Sequence, residues 1–319
     1  MSDVLKLRKK LESQLLKSPG VTGVGNLEDR LRLYVEGTPD IFPTHIEGIR
    51  VEVVKTGKIK ALSLMNVPWF LPQRAMSLNR TLRYRPAPGG CSIGHPKITA
   101  GTLGTALTIR GTKYGLSNNH VLAAASTDMN PRATIGDPIY QPGVYDGGIA
   151  SDTIGTLAWY QPLYEQGMNL VDAALLLPAD PSLLSEDILD IGPYTGLVTA
   201  KLEETVQKSG RTTAVTQARI LDVDATVKVS YGAFEITFTN QIITDYMADG
   251  GDSGSALLNM DKKLVGLLFA GSNYVTVHNH IGNVISAIGG VPAPPGAGAP
   301  FTIVSALPTL IGMAMSGIF

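Results

Sequence analysis

Gly250-Gly251-Asp252-Ser253-Gly254-Ser255-Ala256-Leu257-Leu258 is the stretch on which the reading of this 319-residue chain turns. A serine between glycines sits where the backbone can bend sharply and aim N–H groups at an oxygen on which charge develops. Asp-Ser-Gly is also an ordinary surface turn, so the stretch needs partners before it implies chemistry. Serine becomes a nucleophile only when a histidine takes its proton and an acid orients that histidine. Both lie upstream. Leu116-Ser117-Asn118-Asn119-His120-Val121 carries a lone histidine, and Val171-Asp172-Ala173-Ala174-Leu175-Leu176-Leu177 carries an aspartate leading into an apolar, strand-like run. The intervals are 52 residues from His120 to Asp172 and 81 from Asp172 to Ser253. Among the five histidines, His45 lies far upstream, His95 precedes the strands, and His278 and His280 follow the serine. Asp137, Asp146 and Asp152 are alternative acids, but only Asp172 opens an apolar run. The candidate catalytic residues are therefore His120, Asp172 and Ser253.

The order His, Asp, Ser is the one that two-barrel proteases use, whereas other folds assemble the same three groups in other orders. Gly101-Thr102-Leu103-Gly104-Thr105-Ala106-Leu107-Thr108-Ile109, Asn118-Asn119-His120-Val121-Leu122, Asp172-Ala173-Ala174-Leu175, the serine stretch and Leu264-Val265-Gly266-Leu267 together resemble the trypsin-like serine peptidases. Within these the chain is similar to the cytosolic group that includes bacterial trypsin-like peptidases and the plant NARROW LEAF 1 protein. The resemblance spans about residues 88–290 and implies a mainly β, chymotrypsin-like double six-stranded β-barrel. It also implies an oxyanion hole made by the backbone amides of Gly251 and Ser253. The chain departs from the pattern at Ser255, where a second glycine is common, and at Asn118-Asn119, where small residues usually precede the histidine. By position relative to Ser253, Met247 would lie near the base of the primary substrate pocket and Ala270-Gly271 along its wall. That predicts an uncharged, aliphatic or small residue before the cut. Asp252 corresponds to the acid that, in secreted trypsins, pairs with a freshly cut N-terminus. A long stretch precedes the barrels here, so the expectation is competence without such a cut.

Two barrels need roughly 90–120 residues each, so 319 residues leave room for more. With 35 glycines, 20 prolines and 17% charged residues, the composition is that of a turn-rich β protein. Residues 3–17 place Val4, Leu5, Leu7, Leu11, Leu15 and Leu16 on one helical stripe with Lys and Arg opposite. Three alternating segments follow, from Val21, Arg30 and Ile49. Residues 1–62 therefore read as a small N-terminal α/β accessory domain, 63–100 as a Pro/Gly-bearing linker into the barrels, and 101–290 as the two barrels. Residues 291–319 read as a Pro/Gly linker followed by an apolar tail, uncharged from Phe301 to Phe319.

Net charge is −1, from 26 basic and 27 acidic residues with no basic block, which argues against a nucleic-acid partner. Cys91 is the sole cysteine, and no apolar signal-peptide core opens the chain, so the expected location is cytoplasmic, with membrane association open through the tail. No cofactor is implied: phosphate-loop and dinucleotide fingerprints are absent, and His278-Asn279-His280 lacks a ligand-spaced Cys or acid. The expected partner is a protein or peptide substrate. A homo-oligomer, and a membrane or partner contact through residues 301–319, stay open. Ser255 and the eight-residue gap to Asp261 rule out an α/β-hydrolase elbow. A protease-like scaffold without turnover is the competing reading.

Overall fold

The computed structural model describes residues 2–38, 41–62 and 79–289. The tail at 291–319, with its membrane or partner assignment, lies outside the described residues. No described helix is long and apolar enough to cross a membrane.

The fold is mainly β and built on two six-stranded barrels. In the second, Thr205–Gly210, Ala214–Ser230, Glu235–Asp245, Val275–His280, Lys263–Gly271 and Ala256–Asn259 pair in that order, all antiparallel, and Ala256–Asn259 returns to Thr205–Gly210 to close the wall. Its interior holds Val206, Ile220, Ile242, Met247, Leu257 and Val265. The first barrel is assembled from shorter pieces. Pro138–Tyr140, Thr153–Tyr160, Ala174–Pro178, Thr112–Ser117 and Thr105–Ile109 form one antiparallel sheet. Gly101–Thr102 continues Thr105–Ile109 around a bend at which Gly104 N–H still donates to Leu116 O. Ser92–Ile93 pairs with Gly101–Thr102, and the bridge from Gly94 to Tyr140 completes the circuit. Gly104 has to be glycine there: an added Cβ would lie 2.5 Å from Gly254 O.

Residues 79–100, read from sequence as linker and entry to the barrels, thus contribute the wall strand Ser92–Ile93, while Ala87–Gly89 pairs parallel with Leu184–Ile188 in a separate two-stranded sheet. Their brevity and glycine content hide the alternation by which strands announce themselves. Another apolar cluster fastens the barrels together: Leu107, Leu116 and Leu175 from the first meet Leu258, Leu264 and Leu267 from the second, under Val284 of the helix Ile281–Ile288.

The N-terminal segment begins with the helix Asp3–Lys17, capped by Ser2 and ending before Gly20, whose φ of 77° suits glycine. Val4, Leu7 and Leu16 are buried as the stripe requires. Arg8, on the face read as polar, is buried too, because Asp224 (2.9 Å) and Thr226 (3.2 Å) of the second barrel receive its guanidinium. Val21–Asn26 pairs antiparallel with Ala214–Ser230, then with Arg30–Val35, which runs parallel to Ile49–Lys55. The accessory strands therefore extend the second barrel's own sheet.

Candidate active site

His120 lies in the single helical turn Asn119–Leu122 at the end of strand Thr112–Ser117, and Asp172 stands just ahead of the neighbouring strand Ala174–Pro178. The pairing of Ser117 with Ala174 brings the two strand ends together. His120 Nδ1 meets Asp172 Oδ2 at 2.6 Å, and the His120 backbone N–H donates to Asp172 Oδ1 at 3.2 Å. Both side chains are buried. A carboxylate accepting at Nδ1 fixes the tautomer that leaves Nε2 as the proton acceptor. Nε2 is buried and has no hydrogen-bond partner among the described residues.

Asp172 is held by more than the sequence discloses. Tyr231 donates its phenol to Oδ2 at 2.7 Å, its ring standing edge-on to the imidazole at 5.9 Å. Burial, then the charge of Asp172, pushes the Tyr231 phenol well above its ordinary range, so it remains a donor at neutral pH. Asn118 donates to Asp172 O at 2.6 Å, while the Asp172 N–H donates to Asn279 Oδ1 at 2.9 Å. Asn119 ties the following loop to Ser126 and Gln161. The two asparagines that departed from the expected pattern are thus fasteners for the acid and its loop. The rival acids are engaged elsewhere: Asp137 with His95, Asp146 with Arg211, Asp152 with Arg83.

Ser253 lies on the loop between Glu235–Asp245 and Ala256–Asn259, fully buried. Gly251 and Gly254 both take φ of 96°, a conformation costly for other residues. Thr102 N–H donates to Ser253 O at 2.8 Å, and Ser117 Oγ donates to Thr102 O at 2.7 Å. The Gly101–Thr102 strand therefore links the serine loop to the base of the histidine turn. The Ser253 hydroxyl donates to Phe269 O at 3.2 Å rather than to His120. Asp252 anchors the loop from beneath. It accepts from Asp249 N (3.0 Å), Thr212 N (2.8 Å), Thr213 N (3.1 Å) and Thr213 Oγ1 (2.6 Å), and pairs with fully buried Lys208 at 3.4 Å. Lys208 also reaches Thr213 and Ala214 O.

Of the pocket residues expected from sequence, Ala270 and Gly271 lie on an edge paired with Lys60–Ala61. Met247 packs inside the second barrel with Val206 and Leu257. The Gly251 N–H donates to Leu62 O at 2.7 Å. Tyr231, Asn279 and Lys208 escaped the sequence reading because nothing marks a lone Tyr, Asn or Lys as the partner of a group far away in the chain.

A scan against models of protein families matches none, and a search of curated proteins finds no match. Solved structures do resemble the chain. Thermobifida fusca protease A is 20% identical, with a TM-score of 0.47, over 63% of this chain and 95% of that one. A glutamic acid specific serine protease is 20% identical, with a TM-score of 0.45, over 63% and 97%. Cellulomonas bogoriensis chymotrypsin is 18% identical, with a TM-score of 0.43, over 63% and 95%.

Proposed function

We propose that this chain is a serine endopeptidase of the cytosolic trypsin-like kind, hydrolysing peptide bonds through an acyl-enzyme on Ser253. The observation that carries the reading is the buried His120–Asp172 pair, 2.6 Å apart, whose Nε2 has no partner among the described residues, on a turn that the Gly101–Thr102 strand links to the Gly-Asp-Ser-Gly loop. Rotation of the Ser253 side chain away from Phe269 O would offer its hydroxyl to Nε2. Oγ then attacks the carbonyl carbon while His120 takes its proton, and the Gly251 and Ser253 amides receive the oxyanion. His120 returns the proton to the leaving amine, and a water repeats the sequence to release the acid. Each oxyanion donor supports the transition state by about 2.7–4 kcal/mol. The location follows from the same reading: Cys91, the sole cysteine, is buried and unpaired, so nothing in the chain calls for an oxidising compartment.

A fluorophosphonate probe tests this directly. A single adduct on Ser253, absent in Ser253→Ala and His120→Ala, supports an assembled nucleophile and base. No adduct in the folded full chain would hand the case to a scaffold without turnover.

A further inference from the structure

The loop that carries Ser253 already holds a peptide, and the peptide is the chain's own. Lys60–Ala61 pairs antiparallel with the edge of strand Lys263–Gly271, Lys60 opposite Gly271 and Ala61 opposite Ala270. The register continues one residue further, where Leu62 N–H donates to Phe269 O at 3.3 Å. Leu62 O then accepts from the Gly251 amide at 2.7 Å. That contact lies within the 2.7–3.1 Å range expected between an oxyanion-hole donor and the oxygen on which charge develops. The acceptor of the Leu62 N–H, Phe269 O, is also the acceptor of the Ser253 hydroxyl. The nucleophile and the Leu62 backbone therefore meet at one carbonyl.

The segment is fastened on its other edge as well. Ser230 N–H donates to Ile59 O at 3.0 Å, and Ile59 is buried against Phe269 and Ala270, while Lys60 faces solvent. Upstream, Thr56 and Gly57 N–H both donate to Val35 O, so the accessory sheet sets the register. Leu62 packs at Gly271, where an added Cβ would come within 3.3 Å of its Cδ1. Strand addition of this kind is how an extended peptide gains affinity from its backbone and specificity from alternate side chains.

We propose that Ile59-Lys60-Ala61-Leu62 occupies the acyl-side subsites in cis and that the chain cleaves itself between Leu62 and Ser63. The inference rests on the peptidase reading above and adds its first substrate, with leucine before the cut. Ser253 Oγ bonds to the Leu62 carbonyl carbon, its proton passing to His120 Nε2. The bond to Ser63 N breaks, and that nitrogen leaves as an amine carrying the proton. Water then hydrolyses the Leu62 ester, giving a Leu62 carboxylate and free Ser253. The tether supplies the substrate at an intramolecular effective concentration, so cutting is independent of protein concentration.

Intact-mass measurement of the purified full chain over time, alongside Ser253→Ala, Leu62→Asp and the fluorophosphonate probe, tests this. The expected result is conversion to fragments 1–62 and 63–319, at a rate unchanged by tenfold dilution. One oxygen from labelled water should appear in the Leu62 carboxylate. Ser253→Ala stays whole even when wild-type protein is added, and Leu62→Asp stays whole although the probe labels it. A probe-reactive wild-type chain that keeps the Leu62–Ser63 bond, or is cut at a different bond, overturns the self-cleavage and leaves the peptidase reading standing. Loss of both labelling and cleavage ends both. Cutting in Ser253→Ala assigns the event to another protease and also overturns the proposal.

Discussion

Tyr231 shows how much of a charged site can rest on one neutral hydroxyl. Its phenol shares Asp172 Oδ2 with the imidazole, so Tyr231→Phe leaves that oxygen with one fewer donor and the carboxylate freer to turn. We expect kcat on a peptide substrate to fall about tenfold, near 1.4 kcal/mol of barrier, with KM almost unchanged. A variant damaged in folding would instead lose active enzyme and melt earlier. His278 gives a second residue-scale expectation. Burial, then the charges of Lys208 and His280, lowers its pKa from 6.5 to about 3, while Thr244 Oγ1 sits 3.1 Å from Nε2. The folded protein thus excludes a proton that the unfolded chain binds below about 6.5, so stability is lost as pH falls through that value. Between about pH 7.5 and about pH 5 the wild type should lose about 2 kcal/mol more than His278→Gln in urea denaturation. Equal losses would place the acid sensitivity elsewhere. At this scale the sequence was most legible where one residue type has few uses. His120 and Asp172, picked out by the residues around them, do meet in the fold, whereas Tyr231 and Asn279 act through contacts that any fold could make.

The loop Gly250–Ser255 keeps its shape because Asp252 is pinned from several sides, and Lys208 is the charged member of that set. Burial lowers the Lys208 pKa, and the Asp252 charge works against that shift. Breaking such a fully buried pair leaves an uncompensated carboxylate, at a cost of about 3–5 kcal/mol. Lys208→Met should show that loss in denaturant titration, together with loss of probe labelling at Ser253, whose amide adjoins Asp252. Labelling at the wild-type rate would show that the backbone and Thr213 donors alone hold the loop. The strands from Val21, Arg30 and Ile49 were legible from alternation, while Ala87–Gly89 and Ser92–Ile93 were too short to carry a period. Lys60–Ala61 was illegible for a different reason. Its partners recognise backbone groups and not side chains, so no residue pattern records where it docks.

At the scale of the whole molecule, the division into an accessory segment and barrels is a division of sequence more than of structure. Gly23 and Val24 pair with Val227 and Thr226 of the second barrel, and Arg8 bridges to Asp224 across the same seam. A chain lacking residues 2–62 would expose that edge and the Tyr34-facing side of Val227 and Phe238. We expect it to elute as aggregate in size-exclusion chromatography, whereas fragments 1–62 and 63–319 formed after folding should co-elute. A monomeric truncated chain would show that the seam is dispensable. Strand Ala214–Ser230 is 17 residues long and serves both bodies, pairing in turn with Thr205–Gly210, Glu235–Asp245 and Val21–Asn26. It is a shared beam in the mechanical sense. Pulled apart in an optical trap by handles at the two ends of the uncut chain, such a beam offers no hinge among the described residues at which to yield first, and the two bodies it joins should give way in one rupture instead of two.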